Sequence, residues 1–407
     1  MPIVIAEDSR AANARTRRWF CLAYALAATL AVLCWQAATV HFNYGGNWTA
    51  LFETGDRFAP PPELAAQTYV FKNSTGYDGE FYRYVAHAPW VRIDWARYFD
   101  SLRLRYQRIL LPASAWLLAA GRGGLVDGVY ISLILGWIFV GVYWLGRYAV
   151  EEGHGPAWGL AFLLLPATLT SIDRMTVDVA LAALCVLFVR YEKKPGARLY
   201  LTLLLASLAR ETGALLVAAQ VGYDLCGKRW RRAALFATAL LPAAAWDVYV
   251  WRRVASVAAA RPAEDLYAFA VWLFKYPAIG IAMKLFLPEH YPFSPIVNRI
   301  VQGADALALC GLLALLATGA WCLRRLPWDA EQWTIAAFIA LAVATSRPSF
   351  WEQVYSYGRV FSPLVFFATL QPLRRGAWWA LVPVSLMALR IGIQMAPQAF
   401  GILRAIL

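Results

Sequence analysis

Charged residues are scarce in this chain of 407 residues, of which Asp, Glu, Lys and Arg make up 15% and hydrophobic residues 60%. A soluble globular domain carries about 25% charged residues. Most of the surface therefore does not face water. The scarcity excludes an ordinary soluble domain and predicts a protein embedded in a membrane.

Patterns typical of metal and disulfide sites are also missing. The sequence contains no CxxC pair, no HxxxH pair and no acidic triad. We therefore predict that the protein has no metal site and needs no cofactor. The cysteines lie in or beside apolar segments, so we interpret them as small buried hydrophobic residues. There is neither an internal repeat nor a low-complexity tail. The six cysteines are Cys21, Cys34, Cys185, Cys226, Cys310 and Cys322.

The hydrophobic residues come in long blocks. Many of these blocks approach the length needed to cross a hydrocarbon core, and 19 Trp and 20 Tyr suit the membrane interfaces. We predict an all-α polytopic membrane protein with about 11 transmembrane helices, within a range of about 9 to 13. The blocks lie at residues 20–40, 125–146, 157–171, 177–189, 199–208, 213–221, 234–250, 266–287, 304–322, 334–345, 361–370 and 377–395.

The formal charge of +13 raises the possibility of nucleic-acid binding, but the distribution of the basic residues argues against it. They cluster in short connections between apolar blocks, as expected of cytoplasmic loops. Residues 1–18 are then a cytoplasmic N-terminus followed by an uncleaved anchor, and the whole chain, 1–407, is one integral membrane domain. The clusters are Arg15/Arg17/Arg18, Lys193/Lys194, Lys228/Arg229/Arg231/Arg232, Arg324/Arg325 and Arg374/Arg375.

This orientation places residues 41–107, the longest polar stretch, on the extracytoplasmic side. Long loops of this kind tend to be functional. We predict short helices on the membrane surface at Phe81–Ala86 and Asp94–Tyr106. Residues 108–407 supply the remaining membrane helices, and Arg108–Ala120, the shortest apolar block, is predicted to enter the membrane only part of the way.

Within this loop, the run Gly76-Tyr77-Asp78-Gly79-Glu80-Phe81-Tyr82 places a carboxylate between glycines and aromatic residues. Glycine allows close approach of the backbone, and aromatic rings can stack on sugars. The alternative is an ordinary turn in which Asp78 caps a following helix.

The run Tyr77–Tyr82, with Val85 and Ala86, resembles a motif of the GT-C superfamily of membrane glycosyltransferases. Arg105–Pro112 is similar to the segment that leads into their second membrane helix, Arg210-Glu211-Thr212-Gly213 to a later turn, and Tyr357-Gly358-Arg359 to a late outer motif. The motifs cover about 40 residues. The resemblance implies a GT-C-like fold with a large first extracytoplasmic loop.

The resemblance also implies an inverting transfer from a polyprenyl-phosphate sugar, with Asp78 as the general base. A departing phosphate needs fixed cations, and arginine suits this task. Charged residues at membrane depth are functional candidates in general. The candidates for binding substrate or phosphate are Glu80, Arg105, Arg108, Arg210, Glu211 and Arg359.

Each candidate has a simpler alternative. Arg210 and Glu211 could pair with each other, and Arg105 and Arg108 could be interfacial anchors that extend toward water. Three secondary candidates remain: Asp56 as a second possible base, and Asp173 and Asp178, which could instead cap the next helix.

The sequence thus predicts a glycosyltransferase in a bacterial inner (cell) membrane, with its active face extracytoplasmic. Its partners would be membrane lipid, a polyprenyl-phosphate-linked sugar and an acceptor (lipid, glycan or protein) that the sequence does not specify. Two alternatives stay open: a transporter or flippase of a lipid-linked or polar substrate, and a non-catalytic scaffold for envelope assembly. The missing repeat counts against the transporter.

Overall fold

The computed structural model describes residues 2–258, 276, 278–286, 289–291 and 293–407. Most of these residues are helical. The paired strands among them are β1 (Thr54–Gly55) and β2 (Val70–Phe71), which form a short parallel pair. The prediction of an all-α fold is confirmed for the residues that the structure describes. The apolar block predicted at residues 266–287 lies largely outside the described residues.

The described α-helices range from single turns to helices of more than 30 residues. Six 3₁₀ segments accompany them, at Trp48–Phe52, Ile93–Tyr98, Pro156–Leu164, Glu211–Gly213, Thr238–Leu240 and Trp378–Ala380. The α-helices are α1 (Pro2–Asn43), α2 (Pro62–Ala65), α3 (Asp78–His87), α4 (Leu102–Gln107), α5 (Leu110–Leu118), α6 (Gly123–Glu151), α7 (Pro166–Arg174), α8 (Asp178–Glu192), α9 (Ala197–Ala209), α10 (Ala214–Cys226), α11 (Trp230–Ala237), α12 (Leu241–Ala258), α13 (Ile279–Phe286), α14 (Pro295–Arg325), α15 (Ala330–Ala344), α16 (Pro348–Trp351), α17 (Val354–Val360), α18 (Ser362–Leu373), α19 (Leu381–Gln394) and α20 (Ala396–Ile406).

Among the described residues, four helical segments are long and apolar enough to cross a membrane: Thr16–Asn43, Gly123–Glu151, Trp230–Ala255 and Pro295–Arg325. A fifth is possible if Trp378–Gln394 and Ala396–Ile406, which are bent by 52° relative to each other, count as one span. A helix of about 20 apolar residues spans the hydrocarbon core. These helices indicate a membrane protein.

Ion pairs mark the two ends of the helical bundle. At one end, Asp78 begins α3 and lies close to Arg359 of α17. At the other end, Glu331 at the start of α15 binds Arg374 just after α18. We call these the Asp78 end and the Glu331 end. The predicted basic cluster Arg374/Arg375 lies at the Glu331 end, away from the polar loop.

The helix predicted at Phe81–Ala86 is confirmed as the longer α3, and the one predicted at Asp94–Tyr106 is divided into a 3₁₀ segment and α4. The segment predicted to enter the membrane only part of the way is α5, with nine residues. Nine helical residues span about 14 Å, less than half of a hydrocarbon core.

Helix α6 packs closely against the 3₁₀ segment Pro156–Leu164. A Cβ atom on Gly159 would come within 2.3 Å of the carbonyl oxygen of Val142, so only glycine fits there. Small residues of this kind let helices approach closely in membranes. The apolar block predicted at residues 157–171 is interrupted, because Pro166 starts α7 and forces Leu165 into an extended conformation with ψ of 132°.

Candidate functional site

The backbone around Asp78 is shaped by glycines. Gly76 has φ of +69°, a left-handed conformation that favours glycine. Tyr77 is extended, and α3 begins at Asp78. A Cβ atom on Gly79 would lie 2.1 Å from the carbonyl oxygen of Arg174. The first turn of α3 is thus pressed against the end of α7, which fixes the position of Asp78.

Gly79→Ala is expected to destabilise the protein, because the added methyl group collides with backbone atoms that cannot move aside. Overpacking of this kind costs about 1–3 kcal/mol. The melting temperature of the purified protein should fall. Gly128→Ala in α6 is the matched control, because its Cβ would meet no atom within 4 Å. Equal melting temperatures for the two variants would contradict this account of Gly79.

The Asp78 carboxylate is held by arginines on two sides. Arg105 donates a hydrogen bond from Nη2 to Oδ1 at 2.8 Å, and its Nη1 forms an ion pair with Oδ2 at 2.7 Å. Nη2 of Arg359 lies 2.5 Å from Oδ2, and Nη1 of Arg108 lies 3.8 Å from the same oxygen. The Asp78 side chain is 13% exposed. Charge-assisted pairs with this geometry are strong.

These contacts belong to a closed ring of alternating charges. Arg359 also approaches Asp178 at 3.6 Å, and Asp178 pairs with Arg210. Glu211 continues the ring, since it lies 3.4 Å from Arg210 and accepts two hydrogen bonds from Arg108, at 2.7 and 2.8 Å. Outside the ring, Arg105 also binds Asp100. We call the six members of this closed ring, together with Arg105, which joins it through Asp78, the arginine ring: Asp78, Arg105, Arg108, Asp178, Arg210, Glu211 and Arg359.

The structure therefore brings together most of the residues that the sequence singled out. Arg105, Arg108 and Arg359 contact Asp78 directly, and Arg210 joins this group through its contacts with Asp178 and Glu211. Arg210 and Glu211 do pair with each other, as the simpler alternative held, but each also contacts another member of the ring.

Electrostatics keep Asp78 ionised. Burial alone would raise the pKa of its carboxyl group, but Arg105 and Arg359 outweigh burial and hold the pKa well below its usual range. A carboxylate with such partners is present as the base at neutral pH. It is also a weak base as long as both guanidinium groups remain bound to it.

A cleft of about 330 Å³ opens beside Asp78. This volume suits a small-molecule site, for which ~300–1,000 Å³ is typical. The described residues that line the cleft do not include the four arginines of the ring. They are Arg57, Phe58, Thr75, Gly76, Tyr77, Asp78, Phe81, Asp100 and Arg347.

The aromatic residues of the motif are occupied by guanidinium groups. Arg359 and Arg174 lie 5.1 and 5.3 Å from the ring centre of Tyr77, and Arg105 lies 4.9 Å from that of Phe81. The hydroxyl of Tyr82 accepts hydrogen bonds from Arg108 and Arg105, at 2.5 and 3.3 Å. These rings therefore pack against the arginines. Tyr77 and Phe81 also line the cleft, where sugar stacking stays a prediction.

Glu80 is turned away from the arginine ring. Its side chain is fully buried, and its Oε2 accepts a hydrogen bond from the backbone N–H of Gly55 at 3.1 Å. This contact ties α3 to β1. Burial raises the pKa of Glu80 to about 9 in spite of this bond, so the carboxyl group is neutral at pH 7.

Glu80→Gln is expected to stabilise the protein at neutral and alkaline pH. The unfolded chain loses the Glu80 proton above its ordinary pKa of 4.5, whereas the folded protein keeps it up to about 9, so native stability falls as pH rises through this interval. Glutamine removes that dependence and can still accept from Gly55. Melting temperatures at about pH 5 and pH 8 test this. A variant without a larger advantage at the higher pH would contradict it.

Two secondary candidates lie apart from the ring. Asp56 is exposed, and its carboxylate accepts from the backbone N–H groups of Asn73 and Ser74 at 2.6 and 3.2 Å, so it stabilises a turn. Asp173 is buried and accepts hydrogen bonds from Tyr355 and Gln398 at 2.9 and 2.7 Å. It joins α7 to α17 and α20.

Sequence reasoning missed Asp100, Arg57 and Arg347. Asp100 lies in the predicted interfacial helix region but was not distinguished from the other charged residues of the loop. Arg57 directly follows Asp56, and Arg347 directly precedes α16, far along the chain. Nothing local in the sequence relates Arg347 to Asp78, because their proximity arises only from the packing of distant helices.

Comparison of the chain with models of protein families, with curated proteins and with solved structures found no match. Function is therefore inferred from the geometry of the site and from the motifs.

Proposed function

We propose that this protein is a membrane glycosyltransferase of the GT-C type, which moves a sugar from a polyprenyl-phosphate donor to an acceptor hydroxyl. The observation that carries the proposal is the position of Asp78. Its carboxylate is ionised, held by Arg105 and Arg359, and borders a cleft that fits a small molecule. A base at the wall of a cleft, backed by cations, suits the transfer of a sugar from a phosphate.

The reaction is a single displacement. The acceptor oxygen attacks the anomeric carbon, the bond from that carbon to the phosphate oxygen breaks, and polyprenyl phosphate leaves with the bonding electrons. The acceptor proton passes to Asp78. The donor phosphate gains one negative charge while Asp78 loses one, so negative charge moves across the cleft. Fixed cations at the cleft lower the barrier, because they stabilise the negative charge that develops on the departing phosphate.

The proposal extends to topology and location. We place the Asp78 end on the extracytoplasmic face and the Glu331 end in the cytoplasm, since the short basic connections such as Lys193/Lys194 and Arg374/Arg375 belong to the latter side. In support, α8 runs from Asp178 in the arginine ring to Arg190, which pairs with Glu151 at the end of α6. We propose that the chain crosses a bacterial inner membrane about 11 times, alternating between the Asp78 end and the Glu331 end.

Purified protein in lipid nanodiscs tests the proposal. Polyprenyl phosphates that carry different sugars are incubated with lipid, glycan and peptide acceptors, and release of polyprenyl phosphate is measured by mass spectrometry. Transfer without any ion gradient is the expected result. Gradient-driven movement of the intact substrate in proteoliposomes, with no cleavage, would show a transporter. A protein that neither cleaves nor moves these lipids would fit the scaffold.

A further inference from the structure

Every arginine of the arginine ring is paired with a carboxylate. Its four guanidinium groups are balanced by four carboxylates, which are the three of the ring and that of the neighbouring Asp100. The arginine side chains are also enclosed, with exposures between 3% and 9%. An incoming phosphate diester would meet a neutral group in the resting protein, and would have to displace a carboxylate to bind there.

The cleft has cations of its own. Arg57 and Arg347 both line it, together with Asp78. Arg57 is exposed, and among the described residues its contact is with the ring of Phe58, 5.5 Å from the guanidinium carbon, without an ion pair. Arg347 lies within electrostatic reach of Glu352 and Asp100. The two arginines thus stand at the cleft itself, whereas the ring lies behind Asp78.

The backbone on both sides of Arg57 is fixed. Asp56 holds the turn at Asn73 and Ser74 through its carboxylate, and its own backbone N–H donates to the carbonyl of Ser74 at 3.1 Å. Phe58 packs against Phe81, with ring centres 5.5 Å apart. A guanidinium group on a fixed backbone loses less freedom when it binds an anion.

We propose that Arg57 and Arg347 bind the phosphate of the lipid donor, and that Arg105, Arg108, Arg210 and Arg359 chiefly hold and orient Asp78. This assignment rests on the proposed function for the identity of the ligand. The four arginines that the sequence proposed for phosphate binding are then positioning residues, and the two arginines of the cleft bind the donor. The guanidinium groups of Arg57 and Arg347, beside the aromatic rings of Phe58, Tyr77 and Phe81, suit a phosphate that carries an apolar chain.

Binding of polyprenyl phosphate, which lacks the sugar, to the full-length protein in nanodiscs tests the assignment. Loss of one charge-assisted contact weakens binding about tenfold or more, so Arg57→Gln and Arg347→Gln should each raise the dissociation constant by that factor. Arg92→Gln is the matched control: this loop arginine pairs with Glu63 and Asp94 and does not line the cleft. It should bind like the wild type.

Three further measurements separate the possible outcomes. Polyprenol without phosphate should bind weakly and equally to all variants, and inorganic phosphate should compete only at high concentration; strong competition would overturn the lipid-phosphate assignment in favour of free phosphate. Arg359→Gln should keep its affinity for polyprenyl phosphate while losing turnover. Wild-type affinity in Arg57→Gln and Arg347→Gln would overturn the inference even if sugar transfer is observed. Arginine-dependent binding without transfer would overturn the proposed function alone.

Discussion

Asp78→Asn is expected to lower the rate of sugar transfer by about 10²–10⁴-fold, the usual contribution of a general base. Asparagine has nearly the same shape as aspartate, but it cannot take the acceptor proton. Its amide oxygen can still accept a hydrogen bond from Arg105, but its NH2 group faces guanidinium donors and one negative charge among the arginines is lost, so some loss of stability is expected as well. Release of polyprenyl phosphate by the purified variant, compared with its melting temperature, measures both effects.

Asp100→Asn is the matched control for this experiment. Asp100 binds the same arginine, with its Oδ2 2.5 Å from Nη2 of Arg105, and it lines the same cleft. Its side chain is 38% exposed, and it has no place in the proton transfer. A similar loss of rate in both variants would mean that charge around Arg105 matters, and that Asp78 is not the base.

If the proposed transfer occurs, the activity of the wild-type protein should stay constant as the pH falls from about 7 to 5. Because Arg105 and Arg359 hold the pKa of Asp78 well below its usual range, its carboxylate stays ionised at every pH above the ordinary value of 3.8. Protonation of Asp78 therefore removes no activity between about pH 7 and pH 5. Removal of a cation in Arg359→Gln raises the pKa of Asp78, so an acid-side loss of activity should move toward neutral pH.

The second large effect is expected at the opposite end of the bundle, where Arg374→Met should strongly destabilise the protein. Glu331 is fully buried and accepts hydrogen bonds from Arg374 at 2.6 and 2.8 Å and from Gln371 at 2.6 Å. Removing one partner of a buried ion pair leaves an uncompensated charge and costs about 3–5 kcal/mol. The yield of monodisperse protein and its melting temperature in detergent measure the loss.

Arg375→Met provides the control for Arg374→Met, since Arg375 is exposed and lies 5.9 Å from the ring centre of Trp321. It removes the same charge from the same connection. The double variant Arg374→Met/Glu331→Gln should regain much of the lost stability, because no ionised group is then left buried. A melting temperature for Arg374→Met that matches Arg375→Met would refute the structural role of the pair.

Local features of the sequence anticipated much of the site. The glycines around Asp78 indicated a tight turn, and the structure explains Gly79 by the close approach of the Arg174 carbonyl. Such requirements are local, so they are visible in the sequence. The partner of Glu80 was not visible, because a carboxylate in a polar loop gives no sign that its bond will go to the backbone of Gly55, in a strand 25 residues away.

The sequence by itself determined that the chain is helical and suited to a membrane, because long uncharged runs can satisfy their backbone hydrogen bonds only as helices in lipid. It also determined which charged residues to consider. Only the tertiary structure decided how they pair: Arg108 binds Glu211, 103 residues away, and Arg347 reaches the cleft of Asp78. These contacts form only when distant helices pack together, and the pattern of residues along a single helix does not predict which distant helix will be its neighbour.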